Sequence, residues 1–149
     1  MSLTKETVES RLQRALGRLV DHDGYLLEKD VNERSISHRL AVYIEQEFAD
    51  WNIDCEYNRD HDDPKKLKRE NVQNDDLTAR TVFPDIIVHT RGTNENLLVI
   101  EMKKESHSDD AKAFDQKKLA EFKSQLNYTY AVLVTVSNRA EPPTCEWIE

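Results

Sequence analysis

The sequence predicts an α/β fold, with a mixed central β-sheet flanked by helices. Three observations carry that prediction. Apolar residues recur at helical spacing through two stretches near the start. Two apolar runs, "DIIVHT" and "NLLVIEM", flank a short polar turn. A third helical stretch then leads into "YAVLVTV", a run rich in β-branched residues. A short turn joins antiparallel strands, whereas a helical crossover joins parallel ones, so one sheet has to contain both kinds of pair.

Residues 4–20 place Val8, Leu12, Leu16 and Leu19 along one helical stripe, with Thr4 as N-cap. "DHDG" at 21–24 predicts its end, Gly24 serving as the turn residue. A second helix is expected from Asp30, with Ile36, Leu40, Ile44, Phe48 and Trp51 as its stripe. "DVNE" at 30–33 fits a capping box, with Asp30 as N-cap and Glu33 reaching back. Glu33 also precedes Ile36, Leu40 and Ile44 at helical spacing, which turns it toward the sheet. His38 and Arg39 read as surface or flank residues.

"IDCEYNR" at 53–59 alternates Ile53, Cys55 and Tyr57, the pattern of a half-buried strand. Residues 60–81 are mostly polar and predict a long excursion. Strands follow at 83–90 and 97–103. The helix at 109–126 marks its buried side with Phe114, Leu119, Phe122 and Leu126, and the apolar run at 130–136 reads as a central strand. "PP" at 142–143 interrupts the chain, and "CEWIE" predicts a short last element. The organisation expected is one domain over 1–149: an N-terminal helix and turn at 1–29, a core at 30–136 and a tail at 137–149.

The chain has 149 residues, 38% hydrophobic and 34% charged, which suits a single soluble domain rather than a disordered chain. Its longest apolar runs are strand-sized, far short of the roughly 20 residues a membrane span needs. The first ten residues lack an apolar signal region, and the two cysteines, Cys55 and Cys145, have no metal-ligand spacing. A cytoplasmic location with no membrane partner is therefore expected. The net charge is −8, from 21 basic and 29 acidic residues, which disfavours indiscriminate binding to nucleic acid. The basic residues are nevertheless clustered, in "PKKLKRE" at 64–70 and "MKK" at 102–104.

The hairpin strands carry ionisable groups where a core would be expected. On the second hairpin strand Leu97, Val99, Glu101 and Lys103 share one face, and Leu98, Ile100 and Met102 share the other. On the first, Asp85 shares a face with Ile87. If Thr90 pairs with Asn96 around the turn, Asp85 lies opposite Glu101. Directly opposed side chains have Cβ atoms about 4.5–5.5 Å apart, and like charges there repel. Such a pair needs a shared proton, a lysine or a metal ion. A hard divalent cation resolves the conflict most simply, since Mg²⁺ is held by one or two carboxylates and keeps several waters. Lys103, on the same face as Glu101, would orient an attacking water or offset charge on a phosphate.

Pro84-Asp85, followed after a hairpin by Glu101-Met102-Lys103, resembles the PD-(D/E)XK nuclease superfamily. The similarity spans about 100 residues, from the second helix to "YAVLVTV". It implies a restriction-endonuclease-like α-β-β-β-α-β core, here with an extra N-terminal helix. It also implies a nuclease that hydrolyses phosphodiester bonds, with DNA as the expected substrate. Asp85 and Glu101 would bind Mg²⁺ (Mn²⁺ substituting), the Met102 backbone carbonyl would add a ligand, and Lys103 would assist hydrolysis. Glu33 is the candidate for the glutamate that many members carry on the preceding helix. Lys118, then Lys117, are the candidates for a substrate-facing basic residue on the following helix. Lys65, Lys66, Lys68, Arg69 and Lys104 would track a phosphate backbone. The alternative is a catalytically inactive module of the same fold that binds nucleic acid or protein. A minimal domain without an evident recognition module points to a homodimer or a partner subunit.

Overall fold

The first helix, α1 (Lys5–Glu28), starts where Thr4 caps it, the Thr4 hydroxyl accepting from the Thr7 N–H at 3.2 Å. A computed structural model of the chain describes residues 2–55, 59–60, 63–64, 84–138 and 141–149. Val8, Leu12, Leu16 and Leu19 are buried along one side of α1, as their spacing requires. The helix does not stop at 21–24. Only Asp23 leaves helical geometry (φ −123°, ψ 24°), and the helix resumes to bury Leu27. Gly24 costs about 1 kcal/mol relative to Ala in a helix but takes no left-handed conformation here. The Asp23 carboxylate accepts from Arg39 Nε at 3.1 Å and from the Tyr43 hydroxyl, pinning the kink to the second helix. Burial works to raise this carboxyl, but the Tyr43 and Arg39 hydrogen bonds prevail and hold it below its ordinary value.

The second helix, α2 (Glu33–Glu47), is capped by Asn32 and not by Asp30; Asn32 Oδ1 accepts from the Ser35 N–H at 2.9 Å. Asp30 instead closes α1. It adopts a left-handed conformation (φ 53°), its N–H reaches Leu27 O at 3.1 Å, and the Val31 N–H reaches Leu26 O at 3.3 Å. Those two bonds form a Schellman motif, so Asp30 cannot also start a capping box. Glu33 therefore stands in the first turn of α2 with its side chain available to the sheet. Ile36, Leu40 and Ile44 are buried as expected, and Phe48 and Trp51 beyond the helix continue that packing. Each fully buried Leu or Ile contributes about 1.5–3 kcal/mol relative to exposure.

The strands are β1 (Asn52–Cys55), β2 (Arg59–Asp60), β3 (Asp63–Pro64), β4 (Ile86–His89), β5 (Asn96–Lys104), β6 (Tyr130–Val136) and β7 (Thr144–Trp147). The third helix, α3 (Asp109–Gln125), lies between β5 and β6. Five strands form one mixed sheet in the order β1-β4-β5-β6-β7, and β2 pairs with β3 separately. β5 and β6 are parallel, as the helical crossover demands, and the other neighbours in the large sheet are antiparallel. β7 is the short last element expected after the proline pair. Tyr57 and the basic stretch at 65–70 lie outside the described residues, as does most of the expected excursion at 60–81. No described helix is long and apolar enough to cross a membrane.

Helices cover both faces of the sheet. One cluster joins α1 and α2 to Ile86, Val88, Ile100, Met102, Val132 and Val134; the other joins α3 to Ile87, Val99, Ala131 and Leu133. The hairpin turn departs from the expected pairing. His89, not Thr90, faces Asn96, and the register shifts between Val88 and His89. This bulge turns Leu97 into the same cluster as Leu98. Gly92 takes the left-handed conformation that the turn requires (φ 73°).

α3 is capped by Ser108, whose hydroxyl accepts from the Ala111 N–H at 3.1 Å. Its buried residues are Asp115, Leu119 and Phe122, while Phe114 is 55% exposed. Leu119 and Phe122 are buried as expected, whereas Asp115 replaces Phe114 at the start of the buried face, where its carboxylate meets Lys103 of β5.

At the turn end of the sheet, Asp54 of β1 gathers cations. His89 Nε2 lies 2.7 Å from Asp54 Oδ2, and the Arg91 guanidinium spans both oxygens at 2.9 and 2.7 Å. Burial opposes ionisation of Asp54, but Arg91 and His89 outweigh it and lower its pKa. A lowered carboxylate pKa gives stability that is full above the unfolded value of about 3.9 and fades as pH falls through the folded value. Asp54→Asn should cost ~1 kcal/mol at pH 7, given charge-assisted bonds in partial contact with solvent. Urea titrations should find the gap to the native protein shrinking below about pH 4; a constant gap would deny the ion pair its role. The two thiols offer a second test. Cys55 is exposed, whereas burial pushes the Cys145 thiol up to about 11. At pH 8 a thiol reagent should label Cys55 at least about tenfold faster than Cys145, and Cys55→Ser should abolish the fast phase.

Candidate functional site

One end of the sheet collects the start of β4, the end of β5, the first turn of α2 and the middle of α3. Antiparallel pairing of β4 and β5 makes this convergence unavoidable, because the strand entering at Asp85 lies beside the strand leaving at Lys103. The register at this end is the expected one. Ile86 faces Ile100, so Asp85 stands opposite Glu101 just beyond the ladder.

The two carboxylates do not confront each other. The Asp85 N–H donates to Glu101 Oε2 at 2.9 Å, and Asp85 Oδ2 accepts from the Met102 N–H at 2.9 Å. Each acid thus binds the backbone of the other's strand, continuing the ladder by side chains where main-chain pairing ends. Asp85 is half-buried. Burial raises its pKa, against the Met102 N–H and the positive charges of Lys118, Lys103 and Arg34. Glu101 is wholly buried (0% exposed). Its second oxygen, Oε1, meets the ammonium of Lys118 on α3.

Lys103 is paired as well. Its Nζ lies 3.0 Å from Asp115 Oδ2, and both side chains are largely buried. Burial raises the Asp115 pKa, Lys103 pulls it back, and the negative charges of Asp85 and Glu33 raise it further. Two lysine–carboxylate pairs therefore bridge β5 and α3 side by side, Lys103 with Asp115 and Glu101 with Lys118.

Glu33 reaches the same strand end from α2. Its Oε2 accepts from the Lys104 N–H at 3.1 Å and lies 3.2 Å from His107 Nε2. Lys104 turns away from the centre, its Nζ lying 3.2 Å from both the Asp30 carboxylate and the Asp30 carbonyl. Lys117 is exposed on α3, so of the two adjacent lysines Lys118 is the one directed to the site. Lys65, Lys66, Lys68 and Arg69 lie outside the described residues. A cleft of about 350 Å³ opens beside Asp85, lined by Glu33, Arg34, Ser37, His38 and Cys55. His38 is exposed on α2, as expected, and borders the cleft.

Asp115, Arg34 and His107 are participants that sequence patterning passes over. A signal for Asp115 exists. Lys103 points toward the helix that follows its strand, and Asp115 and Lys118 share a helical face at a spacing of three. Among the described residues, no three His, Cys, Asp or Glu side chains are grouped as a ready-made metal site. Hard oxygen donors nevertheless lie at this strand end, on the neighbouring side chains of Asp85 and Glu101. Strand geometry directs the Met102 carbonyl to the same side as its N–H, toward Asp85. That set fits Mg²⁺ in kind, since this ion needs only one or two carboxylates and completes its shell with water. It fits in occupancy once Lys118 leaves Glu101 Oε1. Compared with models of protein families, with curated proteins and with solved structures, the chain matches none.

Proposed function

We propose that this chain is a metal-dependent nuclease of the PD-(D/E)XK kind, hydrolysing phosphodiester bonds in DNA. The observation that carries this reading is the strand-end clasp of Asp85, Glu101 and the Met102 backbone, with Lys103 one residue further on. In the same reading, α2, β1, β4, β5, α3 and β6 correspond to the superfamily's α-β-β-β-α-β core, with α1 and β7 added. Asp85, Glu101 and the Met102 carbonyl would hold Mg²⁺, or Mn²⁺ in its place, and the ion would supply Lewis-acid activation of water and of the scissile phosphate.

The chain's own residues divide the remaining work. Lys103 orients the attacking water and offsets charge that grows on the phosphate. Asp115 is a positioning residue, since its carboxylate fixes the Lys103 ammonium against α3. Glu33, anchored to the Lys104 N–H, adds negative charge at the mouth of the cleft. Arg34 lines the same cleft as Asp85 and would meet a phosphate there.

A second reading is a catalytically inactive module of the same fold. It is favoured by the two lysine–carboxylate pairs, which neutralise Glu101 and Asp115 without a metal ion. The net charge of −8 points the same way.

Nicking of supercoiled plasmid, with cleavage of linear and single-stranded DNA, separates the two readings. The native chain should cut with Mg²⁺ or Mn²⁺ and stop in EDTA. Asp85→Ala and Lys103→Ala should each lose about 100-fold or more. Undiminished cutting by either variant would reveal a contaminating nuclease and remove support for the enzyme. DNA binding that persists in EDTA, without cleavage under any metal, would establish the binding module. Asp115→Asn should lower kcat about tenfold with KM for DNA little changed, because it loosens Lys103 without touching substrate. A rise in KM at constant kcat would place Asp115 in binding instead.

A further inference from the structure

We propose that Lys118 is a displaceable internal counter-cation: its ammonium holds the side of Glu101 that a divalent cation would take. Cation entry and Lys118 departure are then a single exchange. The proposal rests on the reading of Asp85 and Glu101 as metal ligands and adds a regulatory step to it.

The argument begins with Glu101. An ionised carboxylate with 0% exposure requires compensation by charge and hydrogen bonds. The Asp85 N–H satisfies Oε2, and Oε1 is left to the Lys118 ammonium. Lys103 points elsewhere, its Nζ lying 3.0 Å from Asp115 Oδ2. A divalent cation bound to Oε1 would stand beside the ammonium, and two like charges at contact distance in a partly buried site repel strongly. One of them has to go.

Lys118 is built to be the one that moves. Its side chain retains 15% exposure, whereas Glu101 has none. Four flexible methylenes let an ammonium swing toward water while the stem stays packed. Once released, Lys118 would present its positive charge at the rim of the loaded site. A phosphate would meet that charge only when the metal is present. Substrate attraction by Lys118 is thus gated by metal loading.

The test uses the full chain without DNA. Titration calorimetry with MnCl₂ should find Lys118→Met binding one Mn²⁺ at least about tenfold more tightly than the native chain, and Glu101→Gln binding none. In EDTA Lys118→Met should melt below the native chain, and Mn²⁺ should close or reverse that gap. In the native chain, amine-reactive labelling followed by peptide mass spectrometry should show Lys118 modified several-fold faster with Mn²⁺ than with EDTA. This last measurement needs no variant to fold. Equal Mn²⁺ affinity in the native and Lys118→Met chains, or unchanged Lys118 labelling in a chain that does bind Mn²⁺, overturns the exchange and leaves the metal site standing. Absence of Mn²⁺ binding in both chains overturns the metal reading together with the exchange.

Discussion

A carboxylate buried at the end of a strand has to be met by cations or N–H donors, and the arrangement around Glu101 follows from that requirement. Its side chain is sealed between β5 and α3, with the Asp85 N–H on one oxygen and the Lys118 ammonium on the other. Docking of α3 is therefore partly an electrostatic event. The helix brings Lys118 to Glu101 and Asp115 to Lys103, while Leu119 and Phe122 supply the apolar contact below. Replacing such pairs by apolar residues often stabilises a protein. Breaking either pair by removing a single partner is costly, because the other charge is left buried and unpaired.

The opposite face of the sheet has a different logic. There α1 and α2 form a mainly apolar layer over Ile86, Ile100 and Met102, with the buried Ser37 hydroxyl donating to the Met102 sulfur at 3.6 Å. Asp23 ties the kink of α1 to α2, and Asp30 ends α1 so that Glu33 can start α2 beside the end of β5. Met102 links the two faces. Its side chain lies in the apolar layer, and its backbone N–H belongs to the clasp. The strand end is thus held from both sides.

The strands and helices were legible because their periodicities are long and consistent. Asp85 opposite Glu101 was legible for a related reason, since a hairpin pairs residues that are close in sequence. Helix ends were harder. Gly24 looked like a stop, yet burial of Leu27 carries α1 onward. Asp30 looked like a cap, yet it serves the helix before it. On α3 the apolar residue Phe114 was expected inside, and Asp115 took that place because Lys103 awaits it across the sheet. The choice of Lys118 as the cation for Glu101 depends on the rotation of α3, a tertiary quantity that no local pattern encodes.

The bulge between Val88 and His89 acts as a register buffer between the turn and the working end of the hairpin. Side chains alternate with a period of two, so a slip of one residue along the whole ladder would turn Asp85 away from Glu101. The bulge absorbs that slip locally, with Leu97 as the extra residue and regular pairing restored from Leu98 onward. The turn around Gly92 is thereby insulated from the acids at the other end. A residue added to or removed from that turn would leave the spacing of Asp85 and Glu101 unchanged, provided the irregularity shifted with it.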